Sequence, residues 1–213
     1  MRRRAFITGS LVLAIAGLEG ERCFATPEPQ RLPSDLVAEL SRLKGEIVLG
    51  SARPDITVYE FFDYNCAYCR ASAPDIRPLL SSDRKLSYVL VNYAVLSEAS
   101  IFAARVALAF SQQKPQGYLA FHEAMFKRRG VNGAEQAIDT AFGLGADKAR
   151  LVKDADSDAV TQNLIAAAKL GERLGLAATP SYVIGGESLV GYVDRAAMKS
   201  AIANQRACEK LSC

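Results

Sequence analysis

The chain has 213 residues, half of them hydrophobic, and carries a formal net charge of +3. That length can bury a real core, as one domain or as one domain with an insertion. No basic stripe with interleaved aromatics points to a nucleic-acid partner, and no stretch after residue 18 approaches the roughly 20 apolar residues of a membrane span.

The first 25 residues read as an export signal and not as part of the fold. Arg2, Arg3 and Arg4 form a charged head, Phe6 to Leu18 is a mildly apolar run, and Ala25 stands at a plausible cleavage point before Thr26-Pro27. Arg3-Arg4-Ala5-Phe6-Ile7 resembles a twin-arginine signal. The Sec route fits nearly as well, and a short membrane anchor is the bland alternative. Each export route places the mature protein in the periplasm. Cys23 would leave with the signal, and Gly20-Glu21-Arg22 lacks the small apolar character that precedes a lipid-modified cysteine. Cys66, Cys69, Cys208 and Cys213 then remain, an even number suited to an oxidising compartment.

Residues 26–50 read as an N-terminal linker, a short helix and an edge strand. Thr26 to Pro33 is the linker. Ser34-Asp35 caps an amphipathic helix with Leu36, Val37, Leu40 and Leu43 on one side, ended by Gly45. This 34–45 segment is a candidate oligomerisation element. Glu46 to Leu49 is a short edge strand, and a stronger strand follows at Ile56–Phe62. The turn Asp63-Tyr64-Asn65 leads into a helix from Cys66 to about Leu80, which Pro74 or Pro78 should kink or shorten. Leu86–Asn92 is the next strand.

Residues 98–176 are helical in pattern: Ile101–Ser111, Tyr118–Arg128, Ala134–Phe142, Asp147–Ala155 and Ser157–Leu174, the last two with no Gly or Pro break to keep them from forming one continuous helix. Strands resume at Ser181–Ile184 and Glu187–Val190, joined by Gly185-Gly186 as a hairpin. A final helix starts near Asp194. The order implies an α/β fold, a small sheet interrupted by helices, with a parallel crossover through the helix that Cys66 opens.

Cys66-Ala67-Tyr68-Cys69 carries the chemistry. Two cysteines two residues apart at a strand-to-helix junction have sulfurs close enough to bond. The helix N-terminus, with its unpaired N–H groups, stabilises a thiolate on the first. Thiol–disulfide exchange needs that arrangement. Cys66 is therefore the candidate nucleophile, partly exposed, and Cys69, one turn in, the buried resolving thiol. A zinc or copper clamp, or a chaperone-like module, is the rival reading, but a zinc site needs more ligands than one CxxC and the lone His122 supply. Glu60 stands in an apolar strand, an expensive place for a carboxylate. His122 is read as a packing residue, and Phe62 and Tyr64 as core or rim aromatics. Cys208 and Cys213 would lie about 7.5 Å apart along an unbroken helix, so they can form a structural disulfide only if the helix ends near Cys208.

Three segments together resemble the DsbA-like branch of the thioredoxin superfamily: Glu60 to Arg70, Phe121-His122-Glu123-Ala124-Met125, and Ala178-Thr179-Pro180-Ser181-Tyr182-Val183-Ile184-Gly185. The resemblance covers about residues 46–207. It implies a thioredoxin fold over 51–213 with a helical insertion at about 96–177, and thiol–disulfide oxidoreductase activity without a cofactor beyond the cysteine pair. It implies that Glu60 moves protons to or from Cys69. It makes Thr179-Pro180 a cis bond facing the sulfurs, with Ala67, Tyr68, Thr179 and Pro180 meeting the substrate. The Ala-Tyr dipeptide lacks the histidine found there in the strongest oxidants, Ala178 stands where glycine is common, and Asn92-Tyr93-Ala94-Val95 lacks a proline often present after this strand. The expected activity is a moderate oxidase that introduces disulfides into exported cysteine-containing proteins and is reset by a membrane or periplasmic redox partner. An isomerase or reductase of the same family is the alternative.

Overall fold

The computed structural model describes residues 27–213, so the export-signal reading of residues 1–25 lies outside the described residues. A six-stranded sheet forms the frame: β1 (Gln30–Arg31), β2 (Ile47–Gly50), β3 (Ile56–Phe62), β4 (Leu86–Asn92), β5 (Ser181–Ile184) and β6 (Glu187–Val190). Their order across the sheet is β1-β6-β5-β3-β4-β2. β3 and β4 are parallel neighbours, with Glu60 opposite Leu90, and every other pairing is antiparallel. The crossover joining β3 to β4 is α2 (Ala67–Ser82), because parallel neighbours cannot be joined by a tight turn.

Strand side chains alternate, so each strand feeds two layers. Val58, Phe62, Leu86, Tyr88, Leu90, Tyr182 and Ile184 belong to one buried cluster with α2. Phe61, Val89, Val91, Tyr93 and Val183 belong to a second, with α1 (Ser34–Leu40) and α7 (Asp158–Arg173). Glu60 shares the parity of Val58 and Phe62. Its carboxyl group therefore lies on the α2 side of the sheet.

Between β4 and β5 the chain is helical. α3 (Glu98–Gln113), α4 (Tyr118–Lys127), α5 (Ala134–Gly143) and α6 (Lys148–Ala155) precede α7, and α8 (Arg195–Cys208) closes the chain. Ser157 ends any continuity between α6 and α7, because its side chain accepts the Val160 N–H and caps the new helix. α7 lies close on the sheet at Gly171, where an added Cβ would come within 2.5 Å of the Tyr93 ring.

Four expectations need correction. α2 is unbroken through Pro74 and Pro78. Burial of Cys69, Ser72, Ala73, Ile76 and Leu79 on its inner face outweighs the two missing N–H bonds, and Pro74 stands on the exposed side. The 26–33 segment is not only a linker, since Gln30 and Arg31 pair with Ser188 and Glu187. The first helix is preceded by Pro33 without a side-chain cap. Its Leu36 and Leu40 are buried against Ala167, Leu170 and Leu174 of the same chain, so 34–45 does not keep an apolar face free for oligomerisation.

At the other end, α8 stops at Cys208 because Glu209 adopts a left-handed conformation, φ 59°. The chain turns back, Leu211 is buried, and its N–H donates to Glu187 Oε2 at 2.7 Å. The reversal brings the Cα atoms of Cys208 and Cys213 to 6.7 Å, and a disulfide joins them.

Candidate active site

The end of β3 delivers Asp63-Tyr64-Asn65 to the start of α2, and a network of side chains fixes this turn. Asp63 Oδ1 accepts the Asn65 N–H, while Asp63 Oδ2 accepts the N–H groups of Val95 and Leu96. Asn65 Oδ1 accepts the N–H of Asn132, and Asn65 Nδ2 donates to the Asn132 carbonyl and to Ser100 Oγ. Asn132 is fully buried and donates through Nδ2 to the carbonyls of Tyr64 and Met125. Arg70, just after the cysteine pair, donates to the carbonyls of Phe126 and Arg128. The turn before Cys66 is thus clamped to the helical block from three sides.

Cys66 is the N-cap of α2, and its sulfur accepts the Cys69 N–H at 3.5 Å. Its thiol donates to the Thr179 carbonyl at 3.0 Å. The Thr179-Pro180 peptide bond is cis, and this segment covers the sulfur. Cys66 is consequently only 7% exposed, more enclosed than the partly exposed thiol expected. Cys69 is fully buried, and both cysteines are unbonded thiols. Ala67 is exposed, and Tyr68, about half exposed, lies beside Tyr192 with ring centroids 6.5 Å apart.

The two thiols differ sharply. Hydrogen bonding from the Cys69 side chain is the main influence drawing Cys66 down from 9.0 to about 5. Burial opposes it, and the Thr179 side chain with the N–H groups of Cys69 and Tyr68 adds to it. The Thr179 hydroxyl itself is buried and has no hydrogen-bond partner of normal geometry; the contact of Cys66 Sγ with normal geometry is to the Thr179 carbonyl. Cys69 moves the other way, pushed well above the usual thiol range by burial, by its contact with Cys66 and by the charge of Glu60.

Beneath the pair, Glu60 is 1% exposed. Ser72 Oγ donates to its Oε1 at 3.0 Å, and Tyr88 Oη donates to its Oε2 at 2.7 Å. Burial raises its carboxyl group from 4.5 to about 7 against the opposing pull of these two hydroxyls. Cys66, Cys69, Glu60, Thr179 and Pro180 are therefore drawn together from β3, α2 and the loop before β5. Cys208 and Cys213 belong elsewhere, at the end of α8 beside Glu187. His122 packs in a buried aromatic group with Phe62, Tyr64 and Phe126, and burial lowers its pKa from 6.5 to about 3. Ser72, Tyr88, Asn65 and Asn132 escaped the sequence reading. Only Asn65, next to the cysteine motif, carried a local signal.

The thioredoxin family model matches residues 42–204. The curated relative disulfide bond formation protein D of Bacillus subtilis (strain 168) is 23% identical over 179 residues, covering 79% of this chain and 81% of its own. A thioredoxin-like oxidoreductase from Silicibacter pomeroyi DSS-3 is 33% identical, with a TM-score of 0.72 over 78% of this chain and 94% of that one. The thiol-disulfide exchange protein alpha-DsbA2 from Wolbachia pipientis shares the fold at a TM-score of 0.71 and 24% identity, over 80% of this chain and 96% of that one. The chain belongs to the thioredoxin family and is a thiol–disulfide oxidoreductase similar to the DsbA-like members.

Proposed function

We propose that this protein is a thiol–disulfide oxidase of the periplasm, introducing disulfides into exported cysteine-containing proteins through Cys66 and Cys69. The observation that carries this reading is the asymmetry of the pair: a Cys66 thiol drawn down to about 5 facing a Cys69 thiol pushed far up. In the oxidised enzyme a substrate thiolate attacks Cys66 Sγ. The Cys66–Cys69 bond breaks, and the electron pair leaves on Cys69. That sulfur cannot persist as a thiolate in its buried position, so it takes the proton of Glu60, whose carboxyl group is poised near neutrality. The substrate's second thiolate then attacks its own sulfur in the mixed disulfide and expels Cys66 as a stabilised thiolate. The substrate dithiol is oxidised, the enzyme pair is reduced, and a membrane or periplasmic redox partner must accept those two electrons.

Thr179, with its carbonyl at Cys66 Sγ, is placed to pair with the extended backbone of a substrate as a short added strand. Ala67 and Tyr68 form the exposed rim beside it. No cofactor is required beyond the cysteine pair. The Arg2-Arg3-Arg4 head with its apolar run and the Cys208–Cys213 disulfide favour an oxidising compartment.

The test is mixed-disulfide trapping. Cys69→Ala, activated at Cys66 and offered a reduced, unfolded secreted protein, should accumulate a covalent complex that dithiothreitol releases and that Cys66→Ala does not form. Equal complex formation by Cys66→Ala would remove Cys66 as the nucleophile.

A further inference from the structure

Glu60 gains and loses its proton, on the reading above, in a place that water does not reach: its carboxyl group is 1% exposed. Every partner it needs in either state must come from the protein. Ser72 lies on α2 one turn beyond Cys69, and its Oγ stands 3.0 Å from Glu60 Oε1 and 3.1 Å from the Cys69 carbonyl oxygen. A hydroxyl has one proton and cannot donate fully to both.

We infer that Ser72 is a positioning residue whose hydroxyl turns between Glu60 and the Cys69 carbonyl as Glu60 changes protonation, keeping the carboxyl group hydrogen-bonded throughout the exchange reaction. The inference rests on the reading that Glu60 carries the Cys69 proton. With Glu60 ionised, Ser72 donates to Oε1 and Tyr88 donates to Oε2. When Cys69 Sγ–H gives up its proton, that proton settles on Oε1. Glu60 then donates to Ser72 Oγ, and the Ser72 proton swings to the Cys69 carbonyl. Tyr88 goes on donating to Oε2, now the carbonyl oxygen of the acid. The proton lost by Cys69 is the proton gained by Glu60.

The neighbouring hydroxyls do not duplicate this role. Tyr88 Oη has Glu60 as its acceptor at 2.7 Å. Tyr182, from β5, faces the same carboxylate and serine, but its buried Oη makes no hydrogen bond of normal geometry. The titratable groups facing Glu60 are Cys66 and Cys69 from the start of α2, Tyr88 from β4 and Tyr182 from β5. None of them is a cation that could stabilise the carboxylate in place of Ser72.

The experiment follows the single-turnover rate at which Cys69 resolves a glutathione mixed disulfide on Cys66, across pH. In the native protein this rate should rise as Glu60 ionises, with a midpoint near its pKa of about 7. Ser72→Ala removes a donor to the carboxylate and should move the midpoint up by about one to two units, while Ser72→Thr keeps it in place. Loss of helix packing alone would lower the rate without moving the midpoint. An unshifted midpoint in Ser72→Ala, with the step abolished in Glu60→Gln, would overturn the role of Ser72 and leave that of Glu60 standing. A step that survives in Glu60→Gln would overturn both.

Discussion

Glu60 is a buried carboxyl group beneath the cysteine pair, and its proposed proton transfer and its effect on stability can be read separately. Burial raises its carboxyl group from 4.5 to about 7, so the folded protein holds a proton that the unfolded chain releases between those values. The stability tied to this group is fully present below pH 4.5 and is lost as pH rises through 7. Glu60→Gln cannot titrate. Its stability relative to the native protein should therefore improve by about 3 kcal/mol between pH 4.5 and pH 8, even as exchange slows. Urea unfolding at the two pH values checks this, and a constant difference would place Glu60 in a solvated setting. The residues legible in the sequence were those with local signatures: the CxxC motif, a carboxylate in an apolar strand, and Thr-Pro before a strand. Ser72 and Tyr88 had none. Their importance arises only when α2 crosses β3 and β4 and brings two ordinary hydroxyls onto one carboxylate.

At the scale of elements, the turn 63–65 and the loop at Asn132 behave as one unit. Asn132 donates to the carbonyls of Tyr64 and Met125 and is completely buried. Asn132→Ala leaves two enclosed carbonyls without these donors and should destabilise the protein by about 1–3 kcal/mol. Thermal unfolding measures the loss, and an unchanged midpoint would mean that the turn is held without this residue. Hydrophobic period was enough to place β3, β4, the β5–β6 hairpin and most helices to within a few residues. It could not place β1, whose two residues are ordered by Ser188 and Glu187 far along the chain. Nor could it foresee that the buried face of α2 would carry the helix past Pro74 and Pro78. Local preference gives way where tertiary burial is large.

Across the whole molecule, the sheet separates two tasks. Its α2 face holds the cysteine pair and Glu60, while the opposite face is packed by α1 and α7. The distant Cys208–Cys213 disulfide ties the chain end to the hairpin region through Leu211 and Glu187. Direction of electron flow follows from how far the reduced state is favoured by the Cys66 thiolate. Its pKa falls from 9.0 to about 5, so the reduced form gains stability as pH rises through 5 and loses it as pH falls below that value. The most direct test is the redox equilibrium of Cys66–Cys69 against glutathione at pH 7. Stabilisation of the thiolate predicts an oxidising pair, with a potential between about −230 and −150 mV. A potential at or below thioredoxin's, about −270 mV, would contradict the oxidase assignment.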